Sequence, residues 1–435
     1  MSTIFIWSAS WAEHSQVWFQ STIVYEFLIQ NGYKLVKNAK DADYILLNAY
    51  PFDNYEEKLV LLSLYYYLNT YKDKKIIVFW SAPNMIYGIK RIPWLIYISY
   101  SEYEKFDTIF HGTISIKDIH VWRIRFFIPL KLEEVSLWDL LHNALWSNLK
   151  LETNYEISEY DLSITIDSII DGTYQNNTIE EYPWDYNYME DSIDNFYIET
   201  TRGCGFDCSY CAIKRVSWYT KSFPIDDIIS DIQHAVSIGA KNIIIIDEDV
   251  GSYGIDIWLD FAFLINKINE IPWDFHIKFY YLEPKHLVEN FHRIAPEFWE
   301  NKVSYARITL QTTSQRILTL MNRNYDITEV LNICKKIKMY NTSILLWSIV
   351  IYGFPTETYD EFSDYFRLLK YFDCTDFLCY ADKKWTKTYN MQKNSHEEIL
   401  RKSLVILKMK QKFGDKIDPV IWSPRERKKI LASCY

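Results

Sequence analysis

Between residues 195 and 380 the chain returns repeatedly to a short apolar run, followed each time by a polar loop and a helical pattern. The runs are FYIETT, KNIIIIDED, FHIKFYYLEP, YARITLQTT, SILLWSIVIYGF and TDFLCYAD. Near-continuous apolar strands imply burial on both faces, the condition of a parallel sheet covered by helices. Six strand–helix repeats specify an α/β fold, a parallel (βα)6 barrel or part-barrel, with the chemistry on loops at the strand C-termini. The helix after the first of these loops has Ser222 as its expected N-cap, Pro224 in the first turn, and Asp226 and Asp227 at the positive dipole end. Its buried stripe is Ile225, Ile228, Ile229, Ile232 and Val236, and Gly239 ends it. The last helix opens with a capping box, Ser395 and Glu398, and runs to about Phe413. The tail SPRERKKILASCY reads as a solvated charge run.

The first 130 residues carry a separate strand–helix alternation. TIFIWSAS, DADYILLNAYP, KKIIVFWSAP and FDTIFHG read as strands, the last of them short. VWFQSTIVYEFLIQNGY, stopping at Gly32, and EEKLVLLSLYYYLNTY read as helices. This is the pattern of a small parallel α/β sheet. The expected organisation is 1–130 as an α/β domain, 131–192 as an acidic connecting and covering segment, 193–394 as the barrel core, and 395–435 as a C-terminal helix and basic tail.

A formal net charge of −10 over 435 residues argues against a broad phosphate-gripping face, so nucleic acid is not an expected partner. The seven cysteines are odd in number and none precedes Cys204, which suits a reducing cytoplasm rather than a disulfide scaffold. The start, MSTIFIWSASWAEHS, lacks a basic and then apolar leader. No apolar run approaches the roughly 20 residues of a membrane span, IPWLIYISY at 92–100 being the nearest. A cytoplasmic protein with no membrane partner is expected.

The loop after the first barrel strand reads TRGCGFDCSYCAIKR and holds Cys204, Cys208 and Cys211. Core cysteines and a zinc site are the plain readings. Structural zinc takes four ligands, and the nearest downstream histidine, His234, lies inside the predicted helix. Three thiolates suit instead a [4Fe–4S] cluster with one iron left open.

The Cys-x3-Cys-x2-Cys spacing, with Tyr210 before the third cysteine, resembles the radical SAM superfamily. The segments GCGFDCSYCAIKR, IIIIDEDVGSYG, YYLEPKHL, LQTTSQRILTLMNRNY and IYGFPTET resemble its methylthiotransferase branch in order and spacing, as does GYKLVKNAKDADYILLNAY in the first domain. The resemblance implies that the open iron binds S-adenosylmethionine. An electron, supplied by a donor such as flavodoxin or ferredoxin, then cleaves the sulfonium to a 5′-deoxyadenosyl radical that abstracts a substrate hydrogen. It implies further that Glu248 and Asp249 meet the cofactor's ammonium, Lys278 its carboxylate and Gln311 its ribose. Gly353 would admit the adenine, and Glu357 would orient that turn.

The departures from that branch matter as much. Its members carry three cysteines in the first domain for a second cluster, whereas residues 1–203 here contain none. Tyr50 and Ser81 stand near two of those places, and the third falls near His14. Nor is there room after Phe413 for the branch's RNA-binding barrel. Thr312 and Thr313 replace a Ser-Gly pair, and an apolar residue near Ile349 replaces an Asp. The expectation is an enzyme that keeps the radical-generating half and inserts no sulfur. Its substrate would be a ribosomally made peptide undergoing epimerisation, crosslinking or dehydrogenation, with a small molecule next. A surviving methylthiotransferase-like tRNA or protein modifier and a non-catalytic sensor remain as alternatives. Cys379 and Cys374 are candidate hydrogen donors, Cys379 the better placed; Cys334 reads as packing and Cys434 stands at the end.

Overall fold

The computed structural model of the chain describes residues 2–8, 15–36, 38–49, 71–85, 95–99, 102–119, 194–215, 219–383 and 386–420, with scattered positions between 60 and 70 and residue 121. The chain divides into two compact units, Met1–Ser192 and Ile193–Tyr435. Among the described residues no helix is long and apolar enough to cross a membrane.

In the first unit, β1 (Thr3–Ser8), β2 (Lys34–Leu35), β3 (Tyr44–Ala49), β4 (Lys75–Trp80) and β5 (Ile96–Ser99) form one sheet in the order β2-β1-β3-β4-β5. Every pairing is parallel. The helix Ser15–Gln30 packs Val24, Phe27 and Leu28 out of solvent, and Gly32 turns the chain at φ +81°, a backbone region that glycine enters without steric cost. Of the helix expected around 56–71 only scattered positions are described. Val60, Leu64, Tyr67 and Leu68 among them are buried at helical spacing. One expected element is wrong. FDTIFHG is not a strand: Lys105–Phe110 is helical, and the strand lies upstream at Ile96–Ser99. Phe106 and Phe110 are four apart and stack edge-on against Phe27 at 6.3 and 6.5 Å. The apolar spacing is therefore helical, and a six-residue window is too short for periodicity alone to reveal it. Residues 131–192, Tyr50 and His14 lie outside the described residues.

The second unit contains β6 (Asn195–Ile198), β7 (Thr201–Arg202), β8 (Lys221–Ser222), β9 (Asn242–Ile245), β10 (His276–Leu282), β11 (Val303–Gln311), β12 (Leu345–Tyr352), β13 (Cys374–Cys379) and β14 (Ile417–Val420). The sheet order is β6-β9-β10-β11-β12-β13-β14, parallel throughout. Each main strand pairs with the next in sequence after a helical crossover, and β6 and β14 stand at open edges, which makes this an open, barrel-like sheet. The expected six strands are present. The seventh, β14, lies in the stretch read as helix and tail, where a four-residue strand containing Pro419 gives little pattern; as an edge strand it tolerates that proline. The ribbon β7–β8 is antiparallel and holds the cysteine loop between its arms.

Ser222 does not cap the helix that follows. Helix Ile225–Ser237 begins after Pro224 without a side-chain cap, and Ser222 is drawn off by Asp256, to which its Oγ donates at 2.5 Å. Ser395 does cap the last helix, His396–Phe413, through a complete capping box with Glu398.

Alternation along the strands sorts two faces. Ile243, Ile245, Ile277, Phe279, Ile308, Val350 and Phe377 share one core with the helices outside the sheet. The intervening residues Lys278, Tyr280, Tyr305, Arg307, Trp347 and Asp376 therefore face the inner side. Phe279 sits between Phe261, Phe298 and Trp299, with ring centroids 5.8 to 6.4 Å away. Truncating it leaves a cavity walled by rigid rings. Phe279→Ala is expected to lower the unfolding free energy by about 3–5 kcal/mol, read from the urea midpoint at unchanged slope.

Candidate active site

The cysteine loop has almost no regular structure of its own, so neighbouring strand ends hold it. Three consecutive acids after β9 clamp three successive stretches. Asp247 accepts from Thr200 N at 2.7 Å, Thr201 N at 3.1 Å and the Thr200 hydroxyl. Glu248 accepts from Gly203 N at 3.0 Å. Asp249 accepts from Ser252 Oγ at 2.7 Å, and that oxygen accepts from Gly205 N at 3.1 Å. On the far side, Ser209 N donates to Met321 O at 3.0 Å and Ser209 Oγ to Leu320 O at 2.7 Å. Asn322 Nδ2 donates to Asp207 O at 2.8 Å, and Lys387 pairs with the Asp207 carboxylate at 2.5 Å.

Cys204, Cys208 and Cys211 are free thiols. Burial pushes the Cys204 thiol well above its usual range, the Asp249 carboxylate adding to it, and burial pushes Cys211 up to about 12. Such thiols need a metal to deprotonate them. Among the described residues no three His, Cys, Asp or Glu side chains close around a point that one ion would fill. Three cysteines on one loop are a donor set that fits an iron–sulfur cluster.

Beside the loop lies a buried ion pair to which sequence reasoning gave no role. Arg323 and Glu283 are each about 4% exposed and approach to 2.8 Å. Arg323 Nη1 also reaches Cys208 Sγ at 3.6 Å and Tyr210 Oη at 3.3 Å, and Nη2 donates to Thr309 O at 2.6 Å. Its buried Nε has no hydrogen-bond partner among the described residues. Both residues stand inside the segments YYLEP and MNRNY. The available signal was that each is a charged residue within a motif-like stretch.

The expected cofactor residues separate into two kinds. Asp249 is largely engaged: Oδ1 accepts from Gly251 N at 3.2 Å and Glu283 N at 3.0 Å, Oδ2 accepts from Ser252 Oγ at 2.7 Å, and His286 Nε2 lies 3.4 Å from Oδ2 without a hydrogen bond. A carboxylate offers about four such positions, so Asp249 acts as a brace. Glu357 is another brace. It accepts from Gly353 N at 2.8 Å, from the Tyr365 hydroxyl and from Lys402 Nζ at 2.7 Å, with Lys402 itself 3% exposed. Lys402 also donates to Asn394 Oδ1 at 2.7 Å, tying the last helix to the GFPTET turn, where Gly353 has φ +75°. Gln311 is different. It ends β11 at φ +69°, and its buried Oε1 has no hydrogen-bond partner among the described residues. Tyr210 is held by Arg323 and by an edge contact to Phe354 at 6.4 Å.

Three expected residues are not gathered at the cysteines. Lys278 lies near the start of β10, four residues before Leu282, or roughly 13 Å at about 3.3 Å per residue. It faces the inner side, loss of hydration lowers its pKa, and no ion pair or hydrogen bond engages it among the described residues. Cys374 opens β13 at the end remote from the mouth, buried, with a strongly raised pKa caused by burial. Cys379 does end β13 at the mouth, but it packs against the core on the helix-facing side. Strand parity, which a reading of TDFLCYAD as one apolar run does not fix, turns it away from the inner face.

Residues 198–369 match the Radical SAM superfamily, so the second unit carries the radical SAM domain. The superfamily implies a [4Fe–4S] cluster and S-adenosylmethionine. Over 255 residues the chain is 29% identical to the ribosomal protein uS12 methylthiotransferase RimO of Thermosipho africanus, covering 55% of this chain and 58% of that protein. With the RimO of Thermodesulfovibrio yellowstonii the identity is 28% over 345 residues, or 74% and 79% of the two chains. The match spans little more than half the length of the Thermosipho relatives. Among solved structures, the radical S-adenosylmethionine methyltransferase TsrM of Kitasatospora setae, with cobalamin and a [4Fe–4S] cluster bound, shares the fold at a TM-score of 0.50 and 10% identity, covering 89% of this chain and 77% of that one.

Two outcomes follow from the braces. Loss of hydration and the Glu199 carboxylate push the Glu248 carboxyl from 4.5 up to about 7. The folded state therefore binds a proton that the unfolded state releases, and this contribution to stability is lost as pH rises from about 4.5 through 7. Urea unfolding of the wild type relative to Glu248→Gln is expected to show stability falling across that window, with a flat difference above and below it. Lys402→Met leaves the Glu357 charge buried and alone, and is expected to cost about 3–5 kcal/mol, part of it recovered in Lys402→Met/Glu357→Gln. Denaturation of the single and double variants checks this.

Proposed function

We propose that this radical SAM enzyme reductively cleaves S-adenosylmethionine and abstracts a hydrogen from a polypeptide substrate without inserting sulfur. The observation that carries this reading is the contrast between the two halves of the sequence. Three cysteines and a prepared set of polar groups stand at the mouth of the second unit, while residues 1–203 contain no cysteine to hold a second cluster. When bound, the cluster and S-adenosylmethionine supply a one-electron reduction of the sulfonium and a 5′-deoxyadenosyl radical that takes a substrate hydrogen atom.

The chain's own residues then have distinct tasks. Cys204, Cys208 and Cys211 hold the cluster. Arg323, a guanidinium beside Cys208, is the group fitted to a carboxylate at the open iron, and Glu248 keeps one carboxylate oxygen for the ammonium. Gln311 offers its unpartnered amide to the ribose hydroxyls. Gly353, held by Glu357 and Lys402, presents backbone to the adenine. Lys278 sits on the inner face together with Tyr280, Tyr305 and Trp347, a partly desolvated cation within an aromatic surround. It is the candidate to receive a carboxylate of the substrate rather than of the cofactor. Buried Arg307 and Asp376 pair at 2.6 Å behind it, and Trp347 Nε1 donates to Asp376 at 2.5 Å, which fixes that wall. Cys379, on the helix-facing side, is placed poorly for hydrogen donation, while Cys374 pairs in register with Trp347 on the inner face. A polypeptide substrate is supported by the relatives whose printed function is on ribosomal protein uS12.

Anaerobically reconstituted protein given dithionite and S-adenosylmethionine is expected to release 5′-deoxyadenosine, and Cys204→Ala, Cys208→Ala or Cys211→Ala to fall to background. No methylthio group is expected on RNA or peptide by mass spectrometry, and finding one would refute the sulfur-free reading. Retention of turnover by Cys379→Ala and Cys374→Ala is expected as well.

A further inference from the structure

Each of the three loop sulfurs has a donor beside it, and the three donors are not alike. Cys204 accepts from the backbone N–H of Phe206, and Cys211 from that of Ile213 at 3.4 Å, so both receive a neutral amide from two residues downstream. Cys208 receives instead the Arg323 guanidinium, with Nη1 at 3.6 Å from Sγ. Among the described residues no other charged group donates to any of the three sulfurs.

The fold builds this contact from both sides of Cys208. The turn Leu320–Arg323 grips the residues that flank it. Asn322 Nδ2 donates to Asp207 O at 2.8 Å, while Ser209 N donates to Met321 O at 3.0 Å and Ser209 Oγ to Leu320 O at 2.7 Å. Asn322 takes φ +58°, a left-handed conformation that asparagine enters more readily than most side chains. Arg323 N then closes the turn onto Leu318 O at 2.9 Å. Turn and cysteine form one unit, with the arginine carried to the sulfur between the two grips. The guanidinium is itself fixed. Nη1 also reaches Tyr210 Oη at 3.3 Å, and Nη2 donates to Thr309 O at 2.6 Å and faces the Glu283 carboxylate at 2.8 Å. Both side chains of that pair are about 4% exposed. Charges buried in this way gain little stability from their pairing, so stability does not account for the pair's place beside a cysteine.

We propose that Arg323, through Cys208, holds up the reduction potential of a cluster bound by the loop, and that Glu283 limits how far. The inference rests on the radical SAM reading above, from which it takes the cluster. Reduction adds one electron, and so one negative charge, to the cluster; no bond forms or breaks. A cation and N–H donor at one sulfur stabilises the added charge, the more so where water does not screen it. The anion on the guanidinium's other arm takes part of that effect away. Because Nη1 and Nη2 are already occupied within the protein, the effect is present before any cofactor binds.

The test is a potentiometric titration of the reconstituted holoprotein without S-adenosylmethionine. Dithionite supplies the electron, and the reduced-cluster EPR signal gives the midpoint. Arg323→Met is expected to weaken electron binding roughly tenfold, the scale of one lost hydrogen bond to a charged group, which is a midpoint lower by about 59 mV for a one-electron couple. Arg323→Lys is expected to recover part of that shift, and Glu283→Gln to move the midpoint in the opposite direction. A merely loosened loop does not give opposite signs for the two partners of one ion pair. Wild-type midpoints in Arg323→Met and Glu283→Gln, or midpoints lowered alike in both, overturn the inference. If Arg323→Met does not hold its iron, wild-type midpoints in Arg323→Lys and Glu283→Gln overturn it as well. Deoxyadenosine formed by the wild type, alongside unmoved midpoints in the variants, leaves the proposed function standing and removes only this role of Arg323. A wild type that takes up no [4Fe–4S] cluster removes both.

Discussion

The run Asp247-Glu248-Asp249 holds the first half of the cysteine loop as three rungs hold a rope. Each carboxylate takes a different part of it, Asp247 the residues 200 and 201, Glu248 the Gly203 amide, and Asp249, through Ser252, the Gly205 amide. Because Asp249 also accepts from Glu283 N after β10, the position of Cys204 depends on the register of β9 against β10. A loop with so little structure of its own takes its geometry from the sheet. The arrangement has an electrostatic cost. Burial raises the Asp247 and Glu248 carboxyls, and the neighbouring Glu199 charge adds to the shift. What offsets the crowding is the density of backbone N–H donors that the loop supplies.

Opposite those acids the mouth holds cations. Arg202 pairs with Glu199 at 2.8 Å, and Arg323 pairs with Glu283 at the same distance while touching Cys208. The second arginine bridges β10's end, β11 and the cysteine loop, so the two halves of the loop are secured by charges of opposite sign. In the proposed enzyme this polarity suits a zwitterion: ammonium toward the Glu248 side, carboxylate toward Arg323. A guanidinium already satisfied on one edge but open at Nε can accept such a guest without breaking its own pair.

Much of this was legible in the sequence, because the signals were local. Strand runs of near-continuous apolar residues gave the parallel sheet of the second unit, and the capping box at Ser395 and Glu398 gave the start of the last helix. The cysteine spacing indicated the chemistry. What the sequence hid depends on parity and on distant partners. Cys379 looks like a mouth residue until alternate residues of β13 are sorted to opposite faces. Ser222 has the chemistry of an N-cap, but Asp256, 34 residues later, competes for it and wins. FDTIFHG reads as a strand and is helical, while the strand lies upstream at Ile96–Ser99, because each run is too short for its period to show. Lys402 is an ordinary basic residue of an amphipathic helix until Glu357 turns up beneath it.

The state of satisfaction of each polar group now separates scaffold from site more sharply than motif position does. Glu357 and Asp249 lie in the segments a motif reader would assign to the cofactor, yet three of the roughly four acceptor positions of each are filled from within the protein. Gln311 Oε1, Arg323 Nε and Lys278 Nζ have no such partner among the described residues, although leaving a buried polar atom unpaired is costly. In the proposed enzyme, these are groups that bound molecules would pair. Their separation follows the chain's geometry. Arg323 and Gln311 stand at the strand ends with the cysteines, where the cofactor is expected. Lys278 lies deeper, on the inner face of β10, with Tyr280, Tyr305 and Trp347 on the same face. In the proposed enzyme the same sheet would offer one set of open valences to the cofactor at its rim and another to the substrate within, and the radical would reach a substrate hydrogen only if the substrate is anchored from below.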